Sequence, residues 1–462
     1  MTERDTDVAV IGAGAAGMAA AVVAAASGCR VTIIDSGPAP GGQYYRGSIG
    51  SGRFADLCVR IDEMYDRVDR RFASTAFAIE QLAHGFVVQI RGDDRRRADI
   101  ERIRARAVVV ATGAFDRQLP FPGWDIPGVM AAGAAQALVK GSGVLPGQRI
   151  AVAGTGPFLL AVSATLLDAG GSVAAVIEAN DPLSLGRRAG ATLPAIGKAG
   201  DLARFLATLA RHRVPYLRRH RVLRARGVDR LESITVGRVD GQWRALPGRE
   251  REIEVDALAI GYGFTAQTDL LGGALLVRGE DGGANAAVDD RQETTVRGLF
   301  AAGETTGVGG VDLAGYEGIL AGAAAAEHCG VTPSLTPAAH TRARRRVRDL
   351  RSFASALHAS FPVRDGWRAG VEDTTLICRC EEVPAWRVRE ALDLGATDAR
   401  SVKLLTRAGM GWCQGRVCGR IVDELCGFDE PRTMGSGARP LAAPVPLGAL
   451  ANEGAADERM GR

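Results

Sequence analysis

Four of the eight cysteines lie in one segment, residues 378 to 418, as C-x-C followed by C-x₄-C. Alternate residues of an extended segment point to the same side, so Cys378 and Cys380 can present both sulfur atoms to one ligand. Cys413 and Cys418 lie in GMGWCQGRVCG, where the glycines allow the backbone to bend around that ligand. Four thiolates are a ligand set for a [2Fe–2S] cluster, which these residues favour.

Two alternatives to iron–sulfur chemistry stay open for these cysteines. Structural zinc usually pairs its cysteines as C-x₂₋₄-C at both ends, and the C-x-C pair fits that spacing poorly. The thiols can also stay reduced and bind nothing. A cluster with net negative charge is stabilised by cations, and those nearby in sequence are Arg379, Lys403, Arg407 and Arg416.

A glycine motif near the amino terminus predicts a nucleotide site. Gly12, Gly14 and Gly17 form G-x-G-x-x-G between a predicted strand and a predicted helix. The first glycine permits the turn, the second lets the backbone approach a pyrophosphate, and the third packs helix on strand. Asp35 ends the next strand, where a carboxylate can accept from ribose hydroxyls. The predicted adenine-dinucleotide site comprises Gly12, Ala13, Gly14, Ala15, Ala16, Gly17, Asp35 and Ser36.

The sequence GTGPFL, residues 154 to 159, repeats this pattern in a degraded form. Leu159 stands where the third small residue belongs, so the helix is expected to pack less closely on its strand. Glu178 does end the following strand, as a ribose-binding acid would. The second site therefore stays open between NAD(P), a different nucleotide and no ligand.

These motifs need parallel sheets to position them. Strand–turn–helix–strand patterns occur twice, and further buried strands end in glycine, so the sequence predicts an α/β fold with two Rossmann-like domains, one inserted in the other. A small helical C-terminal [2Fe–2S] domain follows. A basic stretch, 201–226, is predicted to be helical, and a hairpin is predicted near 231–255. The predicted segments are 1–120 with 256–330 (first dinucleotide-binding domain), 121–255 (second, NAD(P)-binding-like domain), 331–369 (linker), 370–430 (cluster domain) and 431–462 (extended tail).

Composition excludes several classes of protein. The net charge of +4 is too small to indicate nucleic-acid binding. No apolar run reaches the length of about 18 residues that a membrane helix needs. The amino terminus lacks the pattern of a secretory signal, which predicts a cytoplasmic protein with reduced thiols. No C-x-x-C occurs, so thioredoxin-reductase chemistry is not expected. No catalytic side chain is predicted; the histidines are scattered at positions 84, 212, 220, 328, 340 and 358.

The motifs together resemble those of a known family. GGQYYRG, ATGAFDRQLPFPGW and GLFAAGETTGVGG, with the glycine and cysteine motifs, resemble the large (alpha or A) subunits of opine oxidase, hydrogen cyanide synthase and dye-linked D-hydroxyproline dehydrogenase. The C-terminal segment resembles the bacterioferritin-associated-ferredoxin-like [2Fe–2S] domain. The resemblance implies FAD in the first site, with NAD as the alternative. It adds the FAD-contacting residues Gly42, Gln43, Thr112, Gly113, Gly303 and Glu304, where Glu304 replaces the commoner Asp.

The same resemblance implies a heteromeric complex. A flavin-containing catalytic beta subunit would oxidise an amine, with room for a small ferredoxin-like gamma subunit, and this chain would relay the electrons. The substrate stays open between opine, hydroxyproline, proline, sarcosine and glycine. An alternative is a self-sufficient NAD(P)H-dependent FAD reductase that passes electrons through its cluster. A third is a scaffold with vestigial sites.

Overall fold

The computed structural model describes residues 3–47, 52–92, 100–186, 199–428 and 441–451. The strands in these ranges are β1 Glu3–Ile11, β2 Val31–Ile34, β3 Val68–Arg71, β4 Ser74–Leu82, β5 Gly85–Gly92, β6 Ile100–Val110, β7 Ala114–Asp116, β8 Val129–Ala131, β9 Arg149–Gly154, β10 Ser172–Glu178, β11 Tyr216–Arg218, β12 His220–Arg226, β13 Ser233–Val239, β14 Ala245–Glu254, β15 Ala257–Gly261, β16 Phe264–Ala266, β17 Leu276–Arg278, β18 Ala284–Ala286, β19 Leu299–Ala301, β20 Leu376–Cys378 and β21 Val383–Pro384.

The helices alternate with these strands in the amino-terminal three quarters and dominate the rest. The α-helices are α1 Ala15–Ala26, α2 Arg53–Glu63, α3 Ala132–Ser142, α4 Phe158–Asp168, α5 Leu183–Gly186, α6 Ala199–Arg211, α7 Val311–His328, α8 Pro337–Ser360, α9 Ala385–Asp393, α10 Ala399–Thr406 and α11 Gly419–Cys426. Two 3₁₀ helices span Gly303–Thr306 and Asp365–Gly370. The mixed α/β fold predicted from the sequence is confirmed.

The chain forms two compact units. One comprises Met1–Ala114, Ala266–Ala354 and Pro431–Arg462, and the other Phe115–Thr265 and Ser355–Glu430. In the first unit, the described strands form a sheet in the order β3-β2-β1-β6-β5-β4, with β19 also paired to β6. β1, β2, β3, β6 and β19 are parallel, and β4 and β5 are antiparallel. A core of small residues joins this sheet to α1 and α7.

The second unit is built on a parallel sheet in the order β11-β10-β9-β15-β8. α3, α4 and α6 contribute to the core on one face. The core on the other face joins the sheet to the antiparallel sheet β12-β13-β14 and to α9, α10 and α11. The cysteine-bearing segment therefore shares one hydrophobic core with the second Rossmann-like domain. The sequence predicted two separate domains here.

The borders of the units differ from those in the sequence prediction. β15 pairs with β8 and β9, so residues 256–265 belong with the second sheet, whereas the sequence assigned 256–330 to the first domain. The segment 331–369, predicted as a linker, contains α8, which starts at Pro337; proline is favoured in the first helical turn. In the predicted tail 431–462, residues 431–440 and 452–462 lie outside the described ranges.

The stretch 201–226 is helical only to Arg211. Pro215 disfavours helical backbone at the preceding residue, and β11 and β12 follow it. The hairpin predicted near 231–255 is present as β13 and β14. A third difference concerns α7, which was expected to start near Gly315 and starts at Val311.

Two glycines of α7 allow it to lie directly on α1. A Cβ atom at Gly318 would lie 2.1 Å from the carbonyl oxygen of Ala16, and one at Gly322 would lie 2.4 Å from that of Ala20. Any side chain at these positions would push the helices apart, because the obstacle is backbone. Gly315 of the same helix has no neighbouring atom within 4 Å of such a Cβ.

We expect Gly322→Ala to lower the thermal unfolding midpoint and Gly315→Ala to leave it unchanged or raise it. Alanine gains about 1 kcal/mol of helix propensity over glycine at either position. At residue 322 this gain is outweighed by overpacking, which costs about 1–3 kcal/mol. Differential scanning calorimetry of the two variants measures this contrast; equal shifts would contradict the packing account.

Candidate cofactor sites

The first glycine loop connects β1 to α1 through backbone contacts that only glycine permits. Gly12 has a φ of +106°, and a Cβ there would lie 2.2 Å from the carbonyl oxygen of Ala111. A Cβ at Gly17 would lie 1.8 Å from the carbonyl oxygen of Gly12. The loop thus turns tightly and leaves the first backbone N–H groups of α1 facing outwards, which is the arrangement that binds an anion.

Asp35 is held beside this loop at the end of β2. Its Oδ2 accepts a hydrogen bond from the Ala13 amide at 2.6 Å, and its Oδ1 accepts one from the Gly37 amide at 2.7 Å. The side chain is half-buried, and the neighbouring Ser36 is exposed. Since a carboxylate has about four acceptor positions, two remain with access to a ribose hydroxyl.

Three further segments reach the same loop. The amide of Gly41 donates to the carbonyl oxygen of Ala13 at 2.9 Å. A Cβ at Gly42 would lie 3.1 Å from the Cα of Gly14, and one at Gly303 would lie 3.0 Å from the Cβ of Ala16. The structure therefore brings the segments containing Gly42 and Gly303 against the predicted dinucleotide loop.

Thr112 and Gly113 follow β6 and are fixed from the opposite side. The hydroxyl of Thr112 donates to the carbonyl oxygen of Gln267 at 2.8 Å and lies 3.4 Å from the hydroxyl of Thr305. The carbonyl oxygen of Gly113 accepts from the Gln267 amide at 2.9 Å. Among the other predicted residues, Gln43 is exposed and Glu304 is half-buried.

Sequence reasoning missed an ion pair beneath the Gly303–Thr306 turn. Glu317 is 1% exposed, and its Oε2 accepts from the Gly303 amide at 2.9 Å and the Thr306 hydroxyl at 3.0 Å. The guanidinium of Arg351 on α8 pairs with Glu317 and donates to the carbonyl oxygen of Gly307 at 3.0 Å. Burial raises the pKa of Glu317, and Arg351 opposes that shift. The pair therefore fixes the turn in one conformation.

We expect Arg351→Met to weaken FAD retention and to lower the unfolding midpoint by at least about 5 °C. Breaking a buried ion pair leaves an uncompensated carboxylate, which costs about 3–5 kcal/mol. The flavin content per chain and the thermal midpoint are the two measurements. Arg345→Met, on the same helix with a side chain 81% exposed, is the matched control.

The double variant Glu317→Gln/Arg351→Met tests the cause of that loss. It removes both charges, so it should recover much of the stability lost by Arg351→Met. A double variant as unstable as the single one would show that the Arg351 contacts with Gly307 and Thr306, and not charge balance, carry the effect.

The second glycine loop has a similar backbone, but its acid is closed off. A Cβ at Gly154 would lie 1.7 Å from the carbonyl oxygen of Gly261, so this position also needs glycine. Glu178 is 0% exposed. Its carboxylate accepts from the Thr155 hydroxyl at 2.7 Å and from the amides of Gly156 and Asn180, each at 2.8 Å. Burial raises its pKa to about 7.

A later part of the chain covers the same corner. The side-chain amide of Asn180 donates to Thr155 at 2.8 Å and to the carbonyl oxygen of Pro362 at 2.9 Å, and the Trp243 indole donates to Asn180 at 3.2 Å. Leu159, in place of the third small residue, is buried in the core between α4 and the sheet. Glu178 consequently meets no solvent-accessible ligand in this conformation.

The four cysteines of the C-terminal segment meet in the second unit. Their thiols are hydrogen-bonded in the order Cys378, Cys418, Cys413, Cys380. The Cys418 thiol lowers the pKa of Cys413 to about 4 and that of Cys378 to about 6. Backbone N–H groups also stabilise both thiolates, those of Val417 and Gly415 at Cys413 and those of Gly409, Glu381 and Cys380 at Cys378.

This donor set fits a [2Fe–2S] cluster. Within the described ranges, no three His, Cys, Asp or Glu side chains converge as ligands of a single metal ion. A [2Fe–2S] core lies among its four thiolates, so they surround it and need not converge on one point. When bound, the cluster would accept and release single electrons; these four cysteines would hold it.

The cations predicted near the cluster are bound to defined partners. Arg379 stacks on the ring of Trp124 at 5.0 Å, and Arg416 on that of Phe115 at 5.3 Å. Arg407 pairs with Glu381 at 2.8 Å. The Trp124 indole donates to the carbonyl oxygen of Leu376 at 2.7 Å and fixes the strand that carries Cys378.

Comparison with known proteins agrees with both sites. Residues 6–341 match the pyridine nucleotide-disulphide oxidoreductase family, and residues 376–426 match the BFD-like [2Fe-2S] binding domain. The chain belongs to the pyridine nucleotide-disulphide oxidoreductase family. The predicted FAD and [2Fe–2S] cofactors are thereby confirmed, although the sequence lacks a C-x-x-C for disulphide chemistry.

Two relatives cover most of the chain. The large (A) component of opine oxidase from Agrobacterium tumefaciens strain Ach5 is 31% identical over 95% of this chain and 89% of its own length. The HcnB component of hydrogen cyanide synthase from Pseudomonas aeruginosa is 31% identical over 88% of this chain and 90% of its own. The predicted resemblance to these proteins is confirmed. Since both are named as parts of larger enzymes, it implies a partner for this chain.

A solved structure shares the fold. The L-proline dehydrogenase of P. horikoshii has a TM-score of 0.66 and 20% identity, covering 97% of this chain and 80% of that one. Among the described residues of our chain, no helix combines the length and apolarity that a bilayer span requires. The cytoplasmic location stays a prediction.

Proposed function

We propose that this chain is the electron-transferring FAD/[2Fe–2S] subunit of a heteromeric dehydrogenase that oxidises the CH–NH group of an amine or imino acid of the opine or hydroxyproline type. The observation that carries the proposal is the presence, in one chain, of a flavin-family glycine loop and a four-cysteine cluster domain. Amine oxidation releases two electrons together, whereas a cluster passes one. A flavin exchanges electrons in either number, so the two cofactors convert one regime into the other.

The side chains around the first loop support a relay role. Asp35, Thr112 and Glu317 all bind backbone groups and fix the loop's shape. Substrate oxidation is assigned in this proposal to the flavin-containing catalytic beta subunit, with room for a small ferredoxin-like gamma subunit. Both relatives are named as subunits, and one as part of an opine oxidase, which supports a partner and an amine substrate.

The competing function is a self-sufficient NAD(P)H-dependent reductase. It needs an occupied second nucleotide site with an acid at the ribose. The closure of Glu178 by Thr155, Gly156 and Asn180 counts against that role. Entry of a ribose would require these three hydrogen bonds to be exchanged inside a buried corner, with an unpaired donor left behind at a cost of about 1–3 kcal/mol each.

Anaerobic reduction of the flavin distinguishes the two functions. The purified chain and the complex isolated from the native host are each mixed with NADH, NADPH and a panel of opines, hydroxyproline, proline, sarcosine and glycine. We expect an amine to bleach the flavin absorbance of the complex, and neither amines nor reduced nicotinamides to bleach the isolated chain rapidly. Rapid bleaching of the isolated chain by NADH would select the competing function.

A cysteine variant shows whether the electrons leave through the cluster. In the complex, Cys380→Ser should leave flavin reduction by the amine intact and abolish reduction of a one-electron acceptor. Cys426→Ser is the matched control, since Cys426 lies outside the set of four hydrogen-bonded thiols. Unimpaired acceptor reduction by a Cys380→Ser complex that has lost its cluster iron would refute the assigned route.

A further inference from the structure

The cluster ligands differ in exposure. Cys378 and Cys418 are each 1% exposed, Cys413 is half-buried, and Cys380 is exposed. One edge of the site therefore faces the outside of the second unit, and electrons can leave the cluster with the shortest path at the Cys380 edge. The surroundings of Cys380 decide which molecule can approach it.

The segment from α10 to Cys413 is folded against Cys380. A Cβ at Gly411 would lie 2.3 Å from the Cβ of Cys380, so the backbone of Gly411 packs directly on this ligand. Arg407, just after α10, pairs with Glu381, the residue next to Cys380, at 2.8 Å. The end of α10 and the turn through Trp412 are thus fixed beside the exposed ligand.

This segment exposes large apolar side chains. Trp412 is 83% exposed, Leu404 is 67% exposed and Leu405 is 47% exposed. Tryptophan is usually largely buried, and exposed apolar groups that cluster together mark interaction sites. Trp412 immediately precedes the ligand Cys413, so the apolar groups and the cluster lie at the same part of the surface.

The charges of the segment have one sign. Residues 399–416 contain Arg400, Lys403, Arg407 and Arg416 and neither Asp nor Glu. Arg400, Lys403, Leu404 and Arg407 are spaced by three and four residues, which places them on one side of α10. Apolar groups within a basic rim suit a partner with an acidic rim.

We propose that the surface formed by Arg400, Lys403, Leu404, Leu405, Arg407 and Trp412, the exit face, docks an acidic one-electron carrier protein. This inference rests on the proposed function and adds the class of the electron acceptor. Each encounter moves one electron from the reduced cluster to the oxidised centre of the carrier; the cluster is oxidised, the carrier is reduced, and no proton is transferred. A second copy of this chain is disfavoured because two basic faces would meet.

Electron transfer from the isolated chain tests the exit face without an amine or a catalytic partner. The chain is reduced with dithionite, freed of excess reductant and mixed with acidic cytochrome b5 or basic cytochrome c as probes. We expect Trp412→Ala and Lys403→Glu each to slow transfer to cytochrome b5 by about tenfold or more, and salt to slow the unmodified chain. Lys403→Glu should instead accelerate transfer to cytochrome c.

Matched controls and a binding measurement separate docking from damage to the cluster. Trp386→Ala and Arg387→Glu alter exposed residues of α9 and should leave both rates unchanged. The reduction potential and the paramagnetic spectrum of the cluster should be the same in all variants. Titration calorimetry with both proteins oxidised at low salt should show cytochrome b5 binding that Trp412→Ala and Lys403→Glu weaken.

Several results would overturn the proposal. Rates and binding that these two variants do not change, in chains with an intact cluster, would remove the exit face while leaving the proposed function standing. A dimer of the chain that Trp412→Ala dissociates would assign the face to a second copy. Slower transfer from the assembled complex than from the isolated chain would assign it to the catalytic partner. A chain without any cluster would refute both proposals.

Discussion

The flavin-type site depends on the close approach of bare backbone. Gly12 lies against Ala111 of the strand beside it, Gly17 lies against Gly12, and Gly42 lies against Gly14, in each case at distances that a side chain would prevent. These approaches point the amides at the start of α1 outwards, where they can bind an anion. The other features of the first site, including Asp35 and the turn at Gly303, are positioned relative to this loop.

The two Rossmann-like loops show that accessibility of the acid matters more than its presence. Asp35 and Glu178 both end the second strand of their unit, and both accept hydrogen bonds from backbone amides of their glycine loops. Asp35 keeps an open face, whereas Glu178 is surrounded by Thr155, Gly156 and Asn180, with Pro362 bound to the last of these. The second domain instead supports the core on which the cysteine segment is packed.

Much of this arrangement could be predicted from the sequence, because its signals are local. Glycine spacing next to apolar strands predicted both Rossmann-like units, and cysteine spacing predicted the cluster ligands. The helix in the supposed linker was missed because its pattern is polar and rich in arginine, with few apolar residues to indicate a packed face. Arg351 carries no sequence signal among the neighbouring arginines, since its role follows from a contact with Glu317.

Burial was the other property that the sequence could not supply. Glu178 has the expected type and position for a ribose-binding acid, and only the fold shows that it is closed. The unequal exposure of the four cysteines has the same origin, since it depends on how α9, α10 and α11 pack on the second sheet. Ligand identity is a local property of the chain, whereas access to a ligand depends on contacts between distant segments.

The central claim is that reducing equivalents pass from the flavin to the cluster within this chain. Rapid freezing of the native complex during amine turnover, followed by electron paramagnetic resonance, tests it directly. The account predicts that the rhombic signal of a reduced [2Fe–2S] cluster grows as the flavin is reduced. A flavin that turns over while the cluster stays oxidised, or zinc in place of iron at the four cysteines, would contradict it.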